Sequence, residues 1–137
     1  MFSFPAVVVH GLDTAQAALR PGLPVTLLSA PGAALYAGAA WWVALVAAAR
    51  AEFNATEAAS ILDCGDAPGY AFSALRLGQS VLILDPDCPA FSAVQQAADA
   101  LGATVLCRRP AALDLAKPGA ERRLIAWLGR DNMLPLG

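Results

Sequence analysis

Apolar positions in this chain fall in short solid blocks, not in single alternation. Such blocks stand at Ala6 to His10, Val25 to Ser29, Ala59 to Asp63, Val81 to Asp85 and Thr104 to Cys107. Each is rich in Val, Leu or Ile and is bounded by Gly, Pro or an acid, which is the pattern of a strand buried on both faces. Between the blocks the apolar spacing changes to a helical one. Phe91, Val94, Ala98 and Leu101 make one stripe, and Leu124, Trp127 and Leu128 make another. Gly78, Gly102 and Gly129 stand where those helices should stop. Asp13, Asp66 and Asp87 are placed to cap helix starts, and Pro68 and Pro89 to open them. The stretch from Pro110 to Pro118 reads as a connector, and Arg130 to Gly137 as a loose tail. The pattern predicts one α/β domain over residues 1–137, with about five mostly parallel strands and helices on both faces, a three-layer, Rossmann-like sandwich.

The longest helical stretch, Ala33 to about Phe53, carries two tryptophans side by side. Neighbouring helix positions lie about 100° apart, so Trp41 and Trp42 cannot share one narrow stripe. The expectation is that one packs on the sheet and the other lies in an interface with a second copy of the chain. Composition points the same way. Hydrophobic residues make up 58% of the 137 residues and charged residues 15%, against roughly 45–50% and about 25% in ordinary domains. A homo-oligomer formed through an apolar helix face would cover the surplus.

Charge narrows the partners. The net charge is −2, from 9 basic and 11 acidic residues. No basic field exists to attract nucleic acid or an anionic membrane. The uncharged run from Pro21 to Ala49 sits inside a regular strand–helix alternation, so no membrane span is expected. The 3 cysteines follow neither disulfide nor metal spacing, which favours a reducing cytoplasm. His10 is the single histidine, and no metal site is expected from Cys64, Cys88 and His10.

Polar chemistry gathers at one end of the strands. His10, Ser29, Asp63, Cys64, Asp85 and Cys107 stand at strand exits, with Asp66, Arg108 and Arg109 close behind. The strand starts are bland connectors such as Gly22-Leu23-Pro24. In open α/β sheets ligands bind outside the carboxyl ends of the strands. The densest segment is Ile61 to Tyr70, with Asp63, Cys64, Gly65, Asp66 and Gly69 in a turn between a strand and a helix.

Ile61 to Asp85 resembles the first cofactor-binding unit of Rossmann-type S-adenosylmethionine-dependent methyltransferases. Leu62-Asp63-Cys64-Gly65 and Pro68-Gly69-Tyr70 match that family's turn, and Val81 to Asp85 its second strand. The family's central glycine is Ala67 here. The resemblance implies that Gly65, Gly69 and Asp63 line a cofactor's amino-acid end and that Asp85 holds its ribose. Read from the residues alone, the candidate ligand-binding set is Asp63, Cys64, Gly65, Asp66, Gly69, Asp85, Ser29 and His10. Three functions follow as expectations. One is a protein binding a small acidic or phosphorylated molecule at the carboxyl edge. The second is a reduced enzyme using S-adenosylmethionine or a nucleotide. The third is a non-catalytic assembly module.

Overall fold

The computed structural model describes residues 4–132, with side chains through Gly129. Its strands are β1 (Ala6–Val8), β2 (Val25–Leu28), β3 (Ala58–Asp63), β4 (Val81–Ile83), β5 (Thr104–Leu106) and β6 (Ala112–Asp114). They form a parallel sheet in the order β5-β4-β3-β2-β1-β6. The fold class is α/β, as expected, but with six strands where the sequence pattern marks about five. The extra strand is β6, inside the stretch read as a connector. Its three residues are too few to show a period. It exists because Ala112, Leu113 and Asp114 pair with Ala6, Val7 and Val8, a partner far away in sequence.

Contacts divide the chain into two compact units. The first takes the residues up to Leu28, Leu45–Ala59, and the residues from Ala111 onward. Here β1 lies between β2 and β6, with Ala6 opposite Thr26 and Val8 opposite Leu28. Successive strand residues point to opposite faces, yet Ala6, Val7, Val8 and Val9 are all buried. Both faces of β1 are therefore covered. A fully buried Val or Leu of this kind stabilises by about 1.5–3 kcal/mol. Helix α1 (Leu12–Leu19) buries Ala15, Ala18 and Leu19. Its cap position is Gly11, so Asp13 sits inside the first turn and not at the cap. The Thr14 hydroxyl reaches back to accept the His10 and Gly11 N–H groups at 2.8 and 3.1 Å. Helix α6 (Ala120–Asn132) buries Leu124 and Leu128, as their spacing predicts. Gly129 does not end it, and the expected loose tail begins at the earliest after Asn132. Residues 133–137 of that tail lie outside the described residues.

The second unit takes Ser29–Ala44 and Ser60–Pro110. Its strands pair as β3-β4-β5, with Asp63 opposite Ile83 and Ile83 opposite Leu106. The single helix expected from Ala33 is two, α2 (Ala33–Tyr36) and α3 (Ala39–Glu52). Gly38 separates them in a left-handed conformation, φ +86, which ends a helix readily. Trp42 is fully buried, and its indole N–H has no hydrogen-bond partner among the described residues. Trp41 is half-buried and leans on it, ring centroids 5.9 Å apart and tilted by 45°. Ala40, Ala44, Ala47, Ala48 and Ala51 are exposed along α3, with Arg50 and Glu52 exposed at its end.

Helices α4 (Pro68–Arg76) and α5 (Phe91–Leu101) begin later than the acids before them imply. Ala67 and Ala90 occupy the cap positions. Asp66 and Asp87 therefore cap nothing. Helix α5 buries Val94 and Ala98 and ends at Gly102, but Leu101 is exposed. No helix among the described residues is long and apolar enough to cross a membrane.

Candidate functional site

The second unit holds a cleft of about 430 Å³ outside the carboxyl ends of β3, β4 and β5. Its construction starts at Ser29, which is fully buried. The Ser29 hydroxyl accepts the Asp63 N–H at 2.9 Å and donates to the Ala30 carbonyl at 3.2 Å. It fixes the end of β3 and does not line the cleft.

Asp63 is the next layer. One carboxylate oxygen takes the Gly65 N–H at 2.8 Å, and the other takes an Arg109 N–H at 2.8 Å. Its side chain is 7% exposed and that of Arg109 26%. A buried carboxylate needs such partners to remain charged. The pair ties the turn after β3 to the chain leaving β5. Asp63 lines the cleft, but both its oxygens are already engaged.

Gly65 has two reasons to be glycine. Its φ is +58, and a side chain there would begin 3.2 Å from the Leu35 Cδ1. Its carbonyl accepts the Asp85 N–H at 2.8 Å, which sets the β4 exit beside the turn. One Asp85 oxygen then accepts the Asp87 N–H at 2.9 Å, leaving the other for solvent or ligand. Asp66 has no hydrogen bond or ion pair among the described residues and caps no helix.

Two thiols, Cys64 and Cys88, are pushed toward their protonated form. Cys64 is fully buried, and burial, helped by the charge of Asp63, pushes its pKa up to about 12. Cys88 is raised by burial first and then by the charges of Asp85 and Asp66. Both carboxylates therefore act on one small region. Arg108 is exposed on the same cleft, with no ion-pair partner among the described residues. Asp63 and Arg109 cancel, so the side chains left for a ligand are Asp66 and Asp85 against Arg108.

Of the expected set, Asp63, Gly65, Asp66 and Asp85 line this cleft. Cys64 and Ser29 are buried behind it. Gly69 lies in α4 with open space around it, so nothing nearby requires a glycine there. His10 belongs to the first unit. There its Nε2–H donates to Asp114 at 2.7 Å, and the same oxygen accepts the Ala116 N–H at 2.9 Å. Burial alone would raise the Asp114 pKa. The His10 hydrogen bond, the Ala116 N–H and the charges of His10 and Lys117 outweigh it, and the carboxyl is held below its ordinary range.

Sequence reading missed the structural use of Arg109. Its position at a strand exit was visible, but its partner is 46 residues away. The Asp114 partner of His10 was missed entirely, at a separation of 104 residues. Among the described residues no His, Cys, Asp or Glu group is arranged to hold a metal ion. No protein-family model matches the chain, and no curated protein matches it significantly.

Proposed function

We propose that this protein binds a small phosphorylated, hydroxyl-bearing molecule, of the sugar phosphate or nucleotide kind, in the cleft of the second unit. The observation that carries the proposal is Asp66. It is a carboxylate that caps no helix and has no ion pair among the described residues, and it lines the same cleft as Asp85 and Arg108, which likewise has no ion-pair partner among them. Carboxylates accept hydrogen bonds from hydroxyl groups, and a guanidinium fork matches a phosphate. The cleft volume falls in the range of small-molecule sites, about 300–1,000 Å³.

S-adenosylmethionine is the second ligand to consider, because Asp85 occupies the position that the methyltransferase-like segment reserves for a ribose. Recognition suits the cleft better than nucleophilic chemistry, since burial holds the Cys64 thiol protonated. Self-association through α3 belongs to the same proposal. It would use half-buried Trp41 and the outward alanines, and light scattering after size exclusion reads it directly. Three unpaired cysteines suit a reducing compartment.

Thermal unfolding with ribose 5-phosphate, adenosine monophosphate and S-adenosylmethionine tests the ligand class. A ligand at 100 times its dissociation constant adds about 2.7 kcal/mol. The expected result is a raised Tm with a phosphorylated compound, lost in Asp85→Ala and reduced in Arg108→Ala. A response to none of the three, or one unchanged in both variants, refutes the reading.

A further inference from the structure

We infer a second binding site, in the first unit, for a planar aromatic carboxylate, held between the open edge of β6 and helix α6. The inference is independent of the cleft described above. Strand β6 pairs with β1 on one side and, among the described residues, ends the sheet on the other. The Leu115 N–H donates to the Val8 carbonyl at 3.2 Å. Alternate residues of a parallel strand point their backbone groups to opposite sides, so the Ala112 amide lies on the open edge. A cavity of about 490 Å³ opens there.

Helix α6 supplies the facing wall. Arg123, Ala126 and Trp127 stand at i, i+3 and i+4, on one face. Leu124 and Leu128, which are buried, hold the helix down. The Trp127 ring is fixed by its N–H, which donates to the Ala6 carbonyl at 2.8 Å. With Leu113 and Ala126 it lines the apolar part of the cavity, where an aromatic ring can pack against an indole. The rim is positive. Lys117 and Arg123 line it, and neither has a salt-bridge partner within 4 Å among the described residues. Asp114, the acid on the same cavity, takes His10 and the Ala116 N–H on one oxygen and keeps the other open among the described residues, so the lining carries two cations against one acid. An apolar wall lined by two cations and one acid favours a ligand with a ring at one end and an anion at the other. A bare phosphate would find the cations but not the wall, and a neutral ring the wall but not the cations.

Isothermal titration of the full chain with 2-naphthoate, 2-naphthol and inorganic phosphate separates these contributions. The expected result is saturable binding of 2-naphthoate, about tenfold or more tighter than either of the others. Lys117→Ala/Arg123→Ala should weaken it by about tenfold or more. Both side chains are exposed, so the variant keeps its fold, which far-UV circular dichroism checks. Trp127→Phe, which loses the hydrogen bond but keeps a ring, should weaken it less than Trp127→Leu. Arg108→Ala, in the other unit, should leave it unchanged. No saturable naphthoate signal, equal affinity for 2-naphthol, or unchanged affinity in the double variant overturns the inference. So does a loss of binding in Arg108→Ala, which would move the ligand to the other cleft.

Discussion

Arg109→Ala tests how the cleft is built. The substitution leaves the Asp63 carboxylate, 7% exposed, with a single N–H from Gly65. An exposed ion pair contributes about 0.2–1 kcal/mol. Removing one partner of a fully buried pair costs about 3–5 kcal/mol, because the other charge stays behind without its partner. Arg109 lies between these limits, since its side chain is 26% exposed and water can follow when it leaves. The expected cost is therefore about 2–3 kcal/mol. Urea unfolding followed by tryptophan fluorescence reads it. With a slope of about 1–3 kcal/mol per molar, the midpoint should fall by roughly 0.7–3 M. Asp63→Asn keeps the shape and the Gly65 hydrogen bond but removes the charge, so it should relieve Arg109→Ala. The double-mutant cycle should give a coupling of about 1–2 kcal/mol. A loss below about 0.5 kcal/mol, with additive single variants, would mean that the pair does not hold the turn.

Three other outcomes are expected. Gly65→Ala forces a side chain into a left-handed position against Leu35 and should cost roughly 1–3 kcal/mol, whereas Gly69→Ala, in open helix, should stabilise by roughly 0.4–1 kcal/mol; chemical denaturation of both separates the glycine the turn needs from the one it does not. Thiol labelling of the native protein at pH 8 should modify exposed Cys107 quickly and leave Cys64, raised to about 12 and fully buried, unmodified until unfolding; mass spectrometry of the labelled peptides decides it. Asp114 has a folded pKa below its ordinary value of 3.8, so its contribution to stability is full above that value and is lost as pH falls through the folded one. The stability gap between the natural protein and Asp114→Asn should accordingly close on acidification below about pH 4, and a gap persisting at the lowest pH would contradict the His10–Asp114 contact.

The five apolar blocks were legible because a buried strand is a local signal. Apolar density, branching at Cβ, and Gly or Pro at the ends all lie within a few residues. Strands β1 to β5 fall inside the marked blocks or within a residue of them. The gathering of acids and arginines at strand exits was legible for the same reason. The turn at Gly65 was marked by its neighbours, whereas its left-handed backbone and the press of Leu35 against it were not.

What each polar residue does was not legible. Asp63 and Asp66 stand three positions apart and look alike in sequence. One is consumed by Arg109, and the other is left facing the cleft. Ser29 and Cys64 carry reactive groups, yet both are fully buried. His10 meets an acid from the far end of the chain, and β6 exists only because β1 lies beside it. Local sequence determines where the chain can form a strand or a turn, because those preferences arise from neighbouring side chains and backbone. Which polar group is paired, buried or free depends on partners brought together by folding, and only the tertiary structure decides that.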